Sequence, residues 1–139
     1  MANTIFVDIV SAEGQIFKGD ATMVFAPAAG GEIGIAPRHA PLLTLLKPGE
    51  VRVQMDGQEE QSFYVGGGAL EVQPHLVSVL ADTAARARDL DEAAALAAKQ
   101  RAEDAMRGRA DKLEMAEAQA ELARAVAQLR AIERIRKKR

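Results

Sequence analysis

The sequence predicts an all-β flattened sandwich or barrel over residues 1–84 and an antiparallel two-helix hairpin over 85–139, α+β overall. Two observations carry this. All five prolines (27, 37, 41, 48 and 74), all five aromatic residues and ten of the eleven glycines precede residue 75. Beyond it the chain is rich in Ala, Glu, Arg and Leu, with Gly108 as its one glycine and no proline. The hydrophobic period changes at the same place, from two residues to three or four.

The strand signals follow in order. From Thr4 to Ser11, Ile5, Val7 and Ile9 alternate with Phe6, Asp8 and Val10. Val51, Val53 and Met55 face one way, Arg52 and Gln54 the other, and Asp56-Gly57 reads as a type I′ hairpin turn, with positive φ expected at both positions. Phe63 and Val65, Leu70 and Val72, then Leu76 to Leu80 continue the alternation. Gly66-Gly67-Gly68 separates two of these runs and permits a bend or bulge. Roughly six to ten short strands in this length imply a sandwich or flattened barrel.

In the second half Asp89-Leu90-Asp91-Glu92 has the form of a capping box, with Asp89 accepting from backbone N–H groups and Glu92 reaching back. Gly108 is the expected C-cap, and Asp111-Lys112-Leu113-Glu114 repeats the start signal. Two helices of about 17–25 residues are expected, with a connection short enough to bring them back antiparallel. On the second, Met115, Ala118, Leu122, Ala125, Val126, Leu129 and Ile132 form a stripe; on the first, Leu90, Ala93, Ala94 and Ala97 offer a small-residue face. Alanines bury little area, so the hairpin is expected to be weakly held on the β domain and able to detach, the other reading of these residues being a permanently docked hairpin.

Charge divides along the same line. Residues 1–81 carry nine acidic and four basic side chains; residues 82–139 carry eleven acidic and fourteen basic. The two parts face different electrostatic partners. There is no cysteine, hence no disulfide, thiolate metal site or Cys nucleophile. No signal peptide is visible at the N-terminus, and no apolar run approaches the roughly 20 residues of a spanning helix.

Catalytic constellations are missing. His39 and His75 have no second imidazole at ligand spacing, no Gly-x-Ser-x-Gly elbow occurs, and the glycine triplet lacks the Gly-Lys-Ser/Thr ending of a phosphate loop. No enzyme activity, metal or cofactor is expected. The basic terminus, Arg134-Ile135-Arg136-Lys137-Lys138-Arg139, suits a solvated helix end, an acidic protein partner or, less well, nucleic acid. No aromatic residue follows residue 64 to stack on bases, so nucleic-acid binding is not expected.

Several segments, in order, resemble the epsilon-subunit family of F-type ATP synthases. They are Asp8-Ile9-Val10-Ser11-Ala12-Glu13-Gly14; Gly31-Glu32-Ile33-Gly34-Ile35-Ala36-Pro37-Arg38-His39-Ala40-Pro41-Leu42-Leu43; and Phe63-Tyr64-Val65-Gly66-Gly67-Gly68-Ala69-Leu70-Glu71-Val72-Gln73-Pro74. Val77-Ser78-Val79-Leu80-Ala81-Asp82, Asp89-Leu90-Asp91-Glu92-Ala93 and Ala120-Glu121-Leu122-Ala123-Arg124-Ala125 complete them. The resemblance implies a non-catalytic rotor subunit of the central stalk, peripheral on the cytoplasmic face of the bacterial inner membrane, coupling proton flow to ATP synthesis. It implies that the β domain meets the gamma subunit and the membrane ring of c subunits. The loop with Gly31 and Glu32 would face the ring, and Arg38, His39, Ala40 and Pro41 would lie in the same contact region. It implies that the helices reach the catalytic alpha and beta subunits and inhibit hydrolysis. A basic tail of Arg124, Arg134, Arg136, Lys137, Lys138 and Arg139 would there meet an acidic surface. Some members bind ATP through Ile/Leu-Asp-x-x-Arg-Ala. Here Leu90-Asp91-Glu92-Ala93-Ala94-Ala95 has Ala94 in place of the arginine, leaving Asp91 and Arg101 as a vestigial site with weak or absent ATP binding. The other reading of the residues is a free-standing adaptor with a helical clamp.

Overall fold

The computed structural model describes residues 3–108 and 111–137. The chain divides into two compact units, Met1–Arg86 and Ala87–Arg139. The first is a sheet sandwich of eight strands: β1 (Ile5–Ser11), β2 (Gly14–Ala21), β3 (Met23–Ala28), β4 (Gly31–Ile35), β5 (Leu42–Gln54), β6 (Gln61–Gln73), β7 (Leu76–Ala81) and β8 (Ala84–Arg86). The second holds a 3-10 turn (Ala87–Asp89) and two helices, α1 (Glu92–Arg107) and α2 (Lys112–Lys137).

The strands run β2-β1-β7-β6-β5-β3-β4 in one continuous sheet, with β8 also on β6. β1 and β7 pair in parallel; the other pairs are antiparallel. The sheet folds over into two layers through β5 and β6, thirteen residues each, while its end strands β2 and β4 do not pair with each other. They bend together where Pro48 faces Gly66 and Leu46 faces Gly68. A proline is tolerated in this central strand because the bend interrupts the ladder. Gly67 and Gly68 have φ of +105° and +136°, and a Cβ on Gly68 would stand 2.2 Å from the Leu80 carbonyl oxygen. The triplet therefore bends one strand and does not separate two.

The inward residues of each layer form one core: Ile5, Val7, Ile9, Val24, Ile35, Val51, Val53, Phe63, Val65, Leu70, Val72, Val77 and Val79 are all buried. Met55 packs at its margin. Turn 55–58 departs from the expected hairpin. Gln58 N–H donates to the Met55 carbonyl at 3.2 Å, but only Gly57 has positive φ (70°), and β6 starts at Gln61. Asp56 keeps ordinary backbone geometry because the six-residue connection relieves it of the mirror-image turn a two-residue loop requires.

In the helical unit Asp91, not Asp89, is the N-cap of α1, its carboxylate accepting from Ala94 N–H at 3.2 Å. Asp89 is taken up in the 3-10 turn, one turn too early to reach the helix's free N–H groups. Asp111 caps α2 as expected, accepting from Glu114 N–H at 2.8 Å. Gly108 ends α1 in an extended conformation, φ −76° and ψ 175°, so the cap is not the left-handed kind. The buried face of α1 is Ala95 and Ala102; Ala93, Ala94 and Ala97 are exposed, which corrects the expected face. On α2, Ala118 and Ala125 are buried within the expected stripe, while Ala127 and Ala131 are buried on a second side. Among the described residues no helix is long and apolar enough to cross a membrane.

Candidate functional site

Glu32 lies in strand β4 and not in a loop, because the chain turns one step earlier, at residues 29–30, and Gly31 already pairs with Ala28. Gly31, at φ +134°, starts the strand. The Glu32 side chain points outward, 55% exposed, and its Oε1 accepts from Arg52 Nη2 at 2.9 Å. Arg52 in turn reaches Glu60 at 3.5 Å and lies over the Phe25 ring at 4.3 Å. The guanidinium is thus held between a ring face and two carboxylates, which orients Glu32.

Residues 36–39 form a tight turn. His39 N–H donates to the Ala36 carbonyl at 3.1 Å, Pro37 supplies the first central position and Arg38 the second, at φ +67°. This is the type II pattern, whose second central position favours glycine. Arg38 is the one non-glycine residue with positive φ among the described residues, at a cost of about 1–2 kcal/mol. The turn is braced from outside: Arg38 N–H donates to the Pro74 carbonyl at 2.8 Å, tying it to the β6–β7 turn that carries His75. The His39 ring Nδ1 stands 2.7 Å from the Ala40 carbonyl oxygen, which can only accept, so this hydrogen bond requires the proton on Nδ1. Ala40 and Pro41 lead directly into β5. Both candidate segments therefore border the start of β5, since Ala29 N–H also donates to the Leu45 carbonyl.

Along β5 the sequence reasoning missed a surface. Leu43 and Leu45 point outward, 74% and 68% exposed. Leu45 pairs with Ala69, Ala69 with Leu80 (54% exposed), and Leu80 with Val10, which makes an apolar row across four strands. The signal was present in Leu42-Leu43-Thr44-Leu45-Leu46: a strand apolar on both faces expects cover on both.

The helical unit gathers the charged candidates differently. Arg136 Nη2 donates to Glu92, joining the end of α2 to the start of α1. Lys137 pairs with Glu133 at 3.3 Å, Arg134 and Arg124 are half-buried, and Lys138 and Arg139 lie outside the described residues. Arg101 pairs with Glu121 at 3.6 Å, also across the two helices. Asp91 is occupied as a cap, so Asp91 and Arg101 are each committed to internal partners. Among the described residues no group of three or more His, Asp or Glu could hold a metal ion.

A family model described as the beta-sandwich domain of the ATP synthase delta/epsilon chain matches residues 4–87, and one described as its long alpha-helix domain matches residues 88–133. The chain belongs to the ATP synthase delta/epsilon chain family. The ATP synthase epsilon chain of Nitrosococcus oceani is 67% identical over 138 residues, covering 99% of each chain. ATP synthase epsilon chain 1 of Methylococcus capsulatus is 62% identical over 139 residues, covering 100% of this chain and 99% of that one. The fold is also found in a solved structure of Euglena gracilis mitochondrial ATP synthase (TM-score 0.84, 17% identity, 94% of this chain and 82% of that chain). A chain of the Tetrahymena thermophila enzyme matches with a TM-score of 0.67 at 11% identity, over 92% of this chain and 96% of that one. The chain is a non-catalytic subunit of a bacterial F-type ATP synthase, of the epsilon kind.

Proposed function

We propose that this epsilon subunit is a rotor part of the central stalk, seated by its sheet unit and regulatory through its helices. The observation that carries the seat is the exposed apolar surface of Leu43, Leu45 and Leu80, the last two in one cross-strand row. A leucine taken fully out of water contributes about 1.5–3 kcal/mol, so three on a rigid sheet leave several kcal/mol for a partner to gain. The gamma subunit is the partner. Gly31, Glu32, Arg38, His39, Ala40 and Pro41, beside the same strand, face the ring of c subunits. Solved neighbours described as an assembly of OSCP, F1 and c-ring and as a central stalk with c-ring support this placement. The subunit then sits peripherally on the cytoplasmic face of the inner membrane, turning with the ring as protons pass. Replacing Leu45 and Leu80 together by Glu should abolish co-purification with gamma while the isolated chain keeps its circular dichroism and melting temperature. Retained gamma binding would move the seat elsewhere.

The helices supply inhibition of ATP hydrolysis by reaching the alpha and beta subunits. Arg124, Arg134, Arg136, Lys137, Lys138 and Arg139 provide the attraction to an acidic catalytic surface, in competition with the internal pairs of Arg136 with Glu92 and of Lys137 with Glu133. Neutralising the five basic residues from Arg134 onward should raise hydrolysis by the isolated complex. The gain should shrink as salt rises, since exposed charges are screened within about 8 Å at physiological ionic strength.

ATP is a poor ligand for this subunit. Ala94 provides no charge for a phosphate, Asp91 is a cap, and Arg101 is paired with Glu121. A missing charge-assisted hydrogen bond weakens binding by about ten- to a hundredfold. Calorimetry on the unsubstituted subunit beside Ala94→Arg tests this; micromolar affinity without the substitution would place the site on other residues.

A further inference from the structure

Arg38 combines three features that no other residue described shares. Its backbone is in the left-handed region, φ +67°, at a turn position where glycine would be unstrained. Its side chain is exposed and makes no ion pair or hydrogen bond among the described residues. Its turn is over-determined, by Pro37, by His39 N–H to Ala36 and by its own N–H to Pro74. A strained backbone conformation kept in place by its surroundings points to a use for the side chain it carries. What Arg38 adds over glycine is a permanent, forked cation at one end of the sandwich. There it stands beside His39 and the turn bearing His75, on a half of the chain with nine acidic and four basic side chains.

We propose that Arg38 is a preset cationic contact for a carboxylate on the ring-side protein partner of the sheet unit. This rests on the ring-facing reading of residues 31–41 given above. The planar guanidinium pairs with a carboxylate through two parallel hydrogen bonds, and a braced turn removes much of the ordering cost of making them. A lipid surface fits less well. Electrostatic docking to anionic lipids draws on clusters of about four to eight Lys or Arg, whereas residues 1–81 carry only four basic side chains, dispersed along the sequence, against nine acidic ones.

The test titrates the full chain, unsubstituted and as Arg38→Gly, Arg38→Asn and Arg38→Lys, onto the purified detergent-solubilised ring and, separately, onto vesicles containing phosphatidylglycerol. Melting temperatures are measured alongside. Arg38→Gly relieves the backbone, so its melting temperature should be unchanged or raised while ring affinity falls about ten- to a hundredfold. A merely structural arginine cannot give that split. Arg38→Asn, which tolerates the same φ without charge, should match Arg38→Gly, and Arg38→Lys should recover part of the affinity. The gap between the unsubstituted chain and Arg38→Gly should narrow as salt rises. Equal ring affinity for Arg38→Gly and the unsubstituted chain overturns the proposal and leaves the ring-facing reading standing. Arginine-dependent binding to vesicles but not to the ring overturns it in favour of lipid. No ring binding by the unsubstituted chain overturns the ring-facing reading and the proposal with it.

Discussion

A methyl group added at Gly68 would meet the Leu80 carbonyl oxygen at 2.2 Å and the Ala81 Cα at 2.9 Å, from a φ of +136° that L side chains rarely adopt. Neither neighbour is a flexible side-chain tip, and both belong to β7, so the pairing of β6 with β7 has to open at the bend. Gly68→Ala should cost about 3 kcal/mol or more in urea unfolding, well above Gly57→Ala in an open turn. A cost below about 1 kcal/mol would show that the bend relaxes. Arg52 is the second residue on which much depends. Its pair with Glu32 is largely exposed on the carboxylate side, worth under about 1 kcal/mol, and its stack on Phe25 adds about 0.5–1 kcal/mol. Arg52→Met should therefore cost about 1–2 kcal/mol and leave Glu32 free to swing; a double-mutant cycle with Glu32→Gln separates the two parts. Local reading of the sequence recognised the glycine bend, since three consecutive glycines have few other uses. It did not foresee Arg52 beside Glu32, because twenty residues separate them and only the pairing of β3 with both β4 and β5 brings them together.

At the scale of elements, alternation placed the inward faces of β1, β6 and the second half of β5 correctly, because a period of two leaves only one face for Ile5, Val7 and Ile9. Over Leu76 to Leu80 it named no face, and Val77 and Val79 are the inward pair. The helices were legible in existence and in the Asp111 cap, but not in the phase of α1. Residues 93–95 and 97–98 are all alanine, so every side of the helix carries a methyl and the pattern has no preferred direction. What fixes the buried face is tertiary packing of Ala95 and Ala102, with the ion pairs Arg136–Glu92 and Arg101–Glu121 setting the register between helices. The correction is testable within one residue type. Ala102→Leu inserts three carbons into a fully buried site and should cost about 1–3 kcal/mol, loosening the hairpin in hydrogen exchange. Ala97→Leu, on the exposed side, should be near neutral because the two residues have similar helix propensity. Equal effects at the two positions would refute the assignment of the face.

At the scale of the molecule, the change in composition after residue 74 coincides with a change in what holds the chain together. The buried apolar cluster of the sheet unit runs from Ile5 to Ala81, with Ala84 packed against it, so no residue of that cluster lies in the helices. The helical unit relies on small alanine contacts and exposed ion pairs, which contribute little individually. A fragment ending at Ala87 retains β8 and the whole core. It should therefore fold alone, with a β-type circular dichroism spectrum, a cooperative urea transition and retained binding to gamma. In the reassembled complex it should support ATP synthesis while hydrolysis rises, because the inhibitory helices are absent. The two halves of this expectation fail separately. An unfolded fragment would mean that the sheet core is insufficient by itself, contrary to the completeness of the cluster from Ile5 to Ala81. A folded fragment that joins gamma yet leaves hydrolysis unchanged would leave the sheet unit as the seat and remove inhibition from the helices of this subunit.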